Sequence, residues 1–343
     1  MEKKFLKRKV KSYQPENKEI QNILEDLTNL GFQGKNLGVA YKIWEKMLTT
    51  EKITIFLGLA GALVPAGMRK TIVYLIKNRF IDCIVSTGAN LFHDCHETLK
   101  RFHYQGNPYL PDEELHKCGI DRIYDVLAKE EEFRKTEDFI TQFSNTLPEN
   151  KCYSSREFLY LLGEYLKKRS KEEGILTSAA KYNVPIYCPA IADSSLGIAL
   201  FDLRYKFNKK IVIDVIADVK ETGDIVKNSS KTGVIYLGGG VPKNFIQQAA
   251  LVPAFQMGDD FSHKYAIQIT TDMPVWGGLS GCTFEEAKSW GKIAEDANTV
   301  TLNCDSTIAL PILVSALDKI KEKFKSRKKP YFLFGEKISI EYR

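Results

Sequence analysis

Apolar residues are distributed along this chain in two ways. In some stretches they recur every three or four positions, as in ENKEIQNILEDLTNLGF (16–32), GVAYKIWEKMLTT (38–50) and MRKTIVYLIKNRF (68–80), the period of a helix with one buried face. In others they run on almost unbroken: ITIFLGLA (53–60), IDCIVS (81–86), VPIYC (184–188), GVIYL (233–237), YAIQIT (265–270) and TVTLN (299–303). Strands covered on both faces read this way, and each run closes on Gly, Ser, Thr or Asp before a turn. Strand, small-residue turn and helix in succession predict an α/β fold with a doubly wound, mainly parallel sheet. The pattern divides the chain into a helical N-terminal extension (1–50), one large domain (51–330) and a C-terminal tail (331–343). Between about 100 and 180 the text is charged and helical in period, as in DRIYDVLAKEEEFRKTEDFITQF and SREFLYLLGEYLKKRSKEEG, and predicts a helical insertion. The segment KKIVIDVIADVKETGDIVKN (209–228) reads as helix in its later part.

Composition narrows the class. With 44% hydrophobic residues the chain buries a large core without staples. Its longest apolar runs contain Gly and Pro and stop short of a membrane span, and the basic N-terminus is followed by no apolar leader, so a cytoplasmic protein is expected. Seven cysteines lack C-x-x-C spacing and are expected as reduced thiols. The formal charge of +6 comes mostly from the two ends, without the interleaved aromatics of a nucleic-acid groove, so no nucleic-acid partner is expected. A cationic substrate would need local carboxylates to oppose that sign.

Candidate chemistry concentrates in TTDMPVWGGLSGCTFEEAKSWGKIAEDA (270–297). Thr283 and Glu286 have capping-box spacing, predicting a helix that carries Glu286, Trp290 and Lys292 forward. Glu286 and Trp290 share a face, whereas Lys292 points elsewhere unless Gly291 breaks the turn. A lysine beside an indole and a glycine is nucleophilic if desolvation lowers its pKa; as a solvated surface lysine it does nothing. Strand ends GALVPAG, STGAN, ADSSLG, LGGGV, TTD and CDST suit a dinucleotide, although no G-x-G-x-x-G occurs and spacing alone leaves nucleotide binding open. His93 and His96 flank Asp94 and Cys95 but lack further ligands at recognisable spacing, so no metal is expected, and His93 is expected at the site mouth. His103, His116 and His263 carry no motif.

Taken together, SWGK, STGAN, ADSSLG and LGGGV resemble the deoxyhypusine synthase family, from about residue 32 to about residue 318. The resemblance implies a Rossmann-like fold, NAD bound near subunit interfaces, a homotetramer and polyamine substrates. It implies that Lys292 carries an imine: NAD takes hydride from spermidine, diaminopropane leaves, the aminobutyl group passes to the lysine, an acceptor amine displaces the lysine, and the hydride returns. The family's NAD positions map onto Gly61, Ala62, Leu63, Val64, Pro65, Thr87, Gly88, Ala89, Asp193, Gly239, Thr271, Asp272, Asp305 and Ser306. Its polyamine positions map onto Glu286, Trp290, His93, Asn244 and Ser280.

The departures from the family pattern matter as much. Polar residues are replaced by Gly61 and Ala62, paired glutamates by Phe92 and His93, aspartates by Ile198 and Leu279, and a histidine by Asn244. Imine chemistry with altered amine recognition is the expectation. STGANLFHD, TTDMPVWGGLSG and LGGGVPKN resemble the bacterial deoxyhypusine synthase-like branch, which is associated with homospermidine formation from putrescine. The alternatives are a protein lysine as acceptor, and a non-catalytic NAD- or polyamine-binding relative.

Overall fold

A computed structural model describes residue 6 and residues 8–343. Residues 1–5 and 7, within the N-terminal basic run, lie outside the described residues, so the expectation of an N-terminus without a leader and of helix from residue 1 is not addressed there. Six strands form the central sheet: β1 (Ile53–Leu59), β2 (Cys83–Ser86), β3 (Ile186–Tyr187), β4 (Lys231–Leu237), β5 (His263–Thr270) and β6 (Ile293–Asn303). Their order is β6-β5-β4-β1-β2-β3 and every pairing is parallel. The order 3-2-1-4-5-6 is that of a doubly wound dinucleotide fold, with its switch point between β1 and β4. That pair is in register from Ile53↔Lys231 to Leu59↔Leu237.

Burial shows why the strands read as unbroken apolar runs. Along β1, Ile55, Leu57 and Leu59 enter one core while Phe56 enters the other; along β4, Ile235 and Leu237 oppose Val234 and Tyr236 in the same way. Alternate side chains thus fill both faces, and neither face is left to water. The first core takes α1 (Ile20–Leu27), α2 (Phe32–Thr49) and α3 (Arg69–Lys77). Helix begins only at Ile20, later than the sequence pattern suggests; described residues before it are irregular.

Between β2 and β3 lies the insertion, with α4 (Gly88–Thr98), α5 (Asp112–Lys117), α6 (Glu130–Asn145), α7 (Ser155–Lys167) and α8 (Ile175–Tyr182). It is not wholly helical. Ile120–Ile123 and Val126–Lys129 form a hairpin that also pairs with Tyr104–Gln105. The two-residue turn between them holds Tyr124 at φ 56°, so IDRI and VLAK alternate across a ribbon where a helix was expected. Asp94 on α4 is fully buried; its carboxylate accepts from Arg69 Nε at 2.8 Å and from the N–H groups of Ile175 and Leu176 at 2.7 and 2.9 Å, capping α8. Arg69 also donates to Thr98 Oγ1 at 2.7 Å.

The second half carries α9 (Ser195–Phe207), α10 (Val215–Asn228), α11 (Gly240–Met257), α12 (Phe284–Ser289) and α13 (Ser306–Lys319). Asp214 caps α10 through the N–H groups of Ile216 and Ala217, which confirms helix in the later part of that segment. The C-terminal residues form an antiparallel pair, Pro330–Leu333 with Ser339–Tyr342, that buries Phe332 and Ile338. Arg327 anchors this segment by pairing with buried Asp82 and donating to the carbonyls of Arg79 and Ile53. Among the described residues, no helix is long and apolar enough to cross a membrane.

Candidate active site

The strand ends build the first part of the site. After β1 the chain turns at Gly61, whose φ of 61° favours glycine and whose missing Cβ would meet nothing within 4 Å. Asn90, one turn into α4, fixes this loop. It donates to the carbonyls of Ala60 and Gly61 at 3.3 and 3.0 Å and accepts from Val64 N at 3.1 Å. Thr87 donates to Gly61 O at 2.7 Å and caps α4. A crevice of about 160 Å³ follows, lined by Gly61 and Leu63 after β1, Gly238 after β4, Thr270 and Thr271 at the end of β5, and Asp305 and Ser306 after β6. Open glycine backbone, hydroxyls, a carboxylate and the N-terminus of α13 suit the ribose and phosphate portions of a dinucleotide.

The remaining predicted cofactor residues divide by role. Val64 and Pro65 are buried and, with Ala62, shape the loop; Thr87, Gly88 and Ala89 start the helix that holds it. Gly88 has a packing role, because a Cβ there would lie 2.1 Å from Ser194 Oγ; its absence seats Ser194, next to exposed Asp193, on the start of α4. Gly239 is similar: a Cβ would meet Ser280 Cα at 2.4 Å, so this glycine admits a neighbouring loop. Asp272 follows the crevice and faces Gly278, 3.8 Å from where a Cβ would sit.

The second part of the site is a cavity of about 130 Å³ lined by Lys292, Trp290, Glu286, Asn244, Leu279 and Cys282, among others. Thr283 accepts from Glu286 N at 3.1 Å and starts α12, which stops at Ser289 and does not carry Lys292 forward. The stop is a Schellman cap. Lys292 N donates to Ala287 O at 3.1 Å, Gly291 N donates to Lys288 O at 2.9 Å, and Gly291 takes φ 71°. This turn brings Lys292 back to the face of Glu286 and Trp290, which answers the geometric question the spacing raises. Lys292 Nζ donates to Asn244 Oδ1 at 3.2 Å and lies 5.3 Å from the Trp290 ring centre. Lys292 is half-buried and Trp290 is 64% exposed, so in the single chain the indole forms one wall of an open cavity. Lys292 also stands at the start of a strand, its carbonyl bonded to His263 N, unlike the crevice residues at strand ends.

Because a side chain at φ near +70° costs about 1–2 kcal/mol, Gly291→Ala is expected to destabilise by about that much, and Gly291→Asn by less. Urea unfolding of the two variants checks this; asparagine proving no better than alanine would rule out the left-handed cap as the reason for glycine.

A buried polar pair lies between crevice and cavity, and sequence reading missed both members. Lys243 and Gln268 are each 1% exposed. Lys243 Nζ donates to Gln268 Oε1 at 2.8 Å and to Cys282 O, while Gln268 Nε2 donates to Gly238 O at 3.0 Å and Ser280 O at 2.7 Å. Gly240 N donates to Ser280 Oγ at 3.0 Å. Ser280 is therefore occupied as a structural partner here. Burial pulls the Lys243 ammonium down to about 8, against the opposing pull of Cys282, Glu286 and Asp272.

His93 does not reach the site mouth. It is buried in a cluster with His96, His103 and Phe133, its Nδ1 2.9 Å from His103 Nε2, and it lines neither cavity. Burial and the neighbouring imidazoles push it down to about 3. The helical period turns positions 93 and 96 inward, beneath a phenylalanine contributed by α6. His103 is likewise enclosed, with its Nδ1 against Glu97; His263 is a satisfied core residue and His116 is exposed. Among the described residues no three candidate ligands converge on a metal position, and all seven cysteines are free. A larger cavity, about 560 Å³, lies elsewhere, between α7, α8 and the C-terminal pair. Its charged residues are already paired, Arg156 with Glu221 and Glu157 with Lys151, so size and chemistry point to different places and the chemistry is the better guide.

Comparison with known proteins agrees with the geometry. The family model described as "DS: Deoxyhypusine synthase" matches residues 22–317. "Probable deoxyhypusine synthase 2" of Methanosarcina acetivorans is 49% identical, covering 95% of each chain. The protein of the same name from Archaeoglobus fulgidus is 50% identical over 87% of this chain and 97% of its own. A "Deoxyhypusine synthase-like protein" from Chlorobaculum parvum is 34% identical over 90% and 89%. A crystal structure from Entamoeba histolytica, named for the same enzyme, shares the fold with a TM-score of 0.61 at 20% identity, covering 91% of this chain and 98% of that one.

Proposed function

Because this chain belongs to the deoxyhypusine synthase family, we propose that it is a cytoplasmic NAD-using transferase that moves the aminobutyl group of spermidine through an imine on Lys292 to a free diamine, putrescine, giving homospermidine. The observation that carries the reading is the convergence of Lys292, Glu286 and Trp290 on one cavity, with the glycine, hydroxyl and carboxylate groups of the strand-end crevice close by. NAD held by Gly61, Thr271, Asp305 and Ser306 would supply the hydride acceptor that makes a carbon–nitrogen bond of the amine reactive, and would return the hydride at the end.

The chain's own residues account for the rest. Lys292 attacks the imine carbon as a free amine; the aminopropyl nitrogen departs with a proton as diaminopropane, and the aminobutyl carbon becomes double-bonded to Nζ. Asn244 accepts a hydrogen bond from Nζ at its amide oxygen, an uncharged anchor that leaves the remaining valences of the nitrogen facing the cavity. Glu286 holds the terminal ammonium by a charge-assisted hydrogen bond, and the exposed Trp290 face adds cation–π attraction. An incoming amine then displaces Nζ and frees the lysine.

Two features favour a small acceptor. Positions where the family carries further acidic or basic groups are Phe92, His93, Ile198, Asn244 and Leu279 here, and His93 is enclosed in its own cluster. Methanosarcina mazei and Archaeoglobus fulgidus each have two relatives, numbered 1 and 2, and this chain is nearer to those numbered 2, at 49–50% against 41–42% identity. A divided role between such pairs fits a second acceptor. The competing reading, a protein lysine as acceptor, is favoured by the relatives' printed names.

Incubating the protein with NAD, spermidine and putrescine is expected to release diaminopropane and homospermidine in equal amounts. Diaminopropane without homospermidine would move the acceptor to a protein lysine, and neither product would dismiss the transfer reading. The reading includes a homotetramer, supported by exposed apolar side chains: beside the cavity Trp276 is 77% exposed and Val275 and Leu279 are exposed, and separately α9 shows Ile198, Phe201 and Tyr205 on its surface. A monomer in sedimentation would refute it.

A further inference from the structure

Lys243 and Gln268 are buried polar residues, and neither lines the crevice or the lysine cavity. Lysine is seldom fully buried unless paired, and polar groups kept inside a core have every donor and acceptor in use or a role that compensates. Here the pair reaches four backbone or side-chain acceptors: Gln268 Oε1 and Cys282 O receive the ammonium, and Gly238 O and Ser280 O receive the amide. Gly238 belongs to the crevice and Cys282 to the lysine cavity. Ser280 stands between them, pressed on Gly239 and bonded to Gly240 N.

From this geometry we infer that Lys243 is a positioning residue: together with Gln268 it fixes the wall shared by the two cavities, and so sets how the substrate carbon attached to Lys292 sits relative to the dinucleotide. The inference rests on the aminobutyl-transfer reading. Lys243 forms no bond to substrate; it acts through the 280–282 segment. Hydride must leave and return across the gap between the two cavities, so a displacement of one wall by an ångström costs turnover far more than binding. A lysine serves because its ammonium donates to two acceptors at once from a single buried point, which methionine of the same length cannot do.

Lys243→Met is the test, with Gln268→Met and the double variant beside it. The expected result is a kcat about 10- to 100-fold lower, with KM for spermidine within about threefold. The double variant should be no worse than the poorer single variant, because one unit is broken once. Amide hydrogen exchange should quicken in both the 238–240 and 277–283 segments, a readout independent of activity. Folded Lys243→Met with unchanged exchange and kcat within twofold of the parent overturns the inference. If Lys243→Met does not fold, Gln268→Glu replaces it, since glutamate still accepts from Lys243 but no longer donates to Gly238 O or Ser280 O. Unchanged exchange in both segments then overturns the inference. A parent without product defeats the transfer reading, whatever the exchange shows; an active parent whose variants neither slow nor loosen defeats this inference alone.

Discussion

Lys292→Ala is expected to lower aminobutyl transfer by about a thousandfold or more, the scale seen when a covalent nucleophile is removed, while leaving the protein folded. The structure supports the second half. Lys292 is half-buried and its side chain forms one hydrogen bond, to Asn244, so deletion removes little packing. The backbone around it is held independently by the cap at Gly291 and by His263 N on the Lys292 carbonyl. Lys292→Arg is expected to fail as well, because a guanidinium stays charged and does not present a free nitrogen lone pair. Borohydride added during turnover should fix the aminobutyl group on Lys292 in the parent, found by peptide mass, and on no residue in the alanine variant. Homospermidine formed by Lys292→Ala at the parental rate would mean direct amine-to-amine transfer with no lysine relay.

The largest stability effect is expected from Arg69→Met, a loss of about 3–5 kcal/mol, because it leaves the buried Asp94 carboxylate without its cation. Arg69 is 4% exposed, and Gly174 packs so closely that a Cβ would lie 2.9 Å from its NH2 group. The site is therefore closed to compensating water. Arg69→Met combined with Asp94→Asn should recover part of the loss, since the neutral amide oxygen can still accept from the start of α8. Urea unfolding of the three variants measures this; Arg69→Met within about 1 kcal/mol of the parent would show that the helix N–H groups alone satisfy Asp94. The result also bears on the sequence HDCH, whose aspartate is committed to structure and unavailable to a metal.

Much of the fold was legible because parallel strands buried on both faces leave apolar runs that little else produces. Their order was not, since nothing in ITIFLGLA or KTGVIYL says that these two, so far apart in the chain, are neighbours. The hairpin at 120–129 escaped because eight alternating residues inside a charged, helix-like text are a weak signal, and a tyrosine in the left-handed region announces nothing. In the site, Lys292, Glu286 and Trp290 were found together through their local spacing. His93 was misplaced because adjacency to STGAN says where a helix starts and not which way its second turn faces. Gln268 did leave a trace: a lone amide within YAIQIT, an otherwise apolar strand, must find partners inside the protein. Lys243 left a fainter one, a lysine three residues beyond the glycine turn.

The pairing of β1 with β4 also sets a timetable for synthesis. Ile53–Leu59 meets Lys231–Leu237 only after the whole insertion and two further helices have been made. At roughly 5–20 residues per second the ribosome leaves the apolar edge of β1 without that partner for about ten to forty seconds. During that interval β2 is its only available sheet neighbour, and the unpaired edge is a template for any other nascent strand. Yield of native protein from cells is therefore expected to rise when that edge is shielded while the chain is still on the ribosome, as by cooler expression or added chaperone, with the finished fold unchanged.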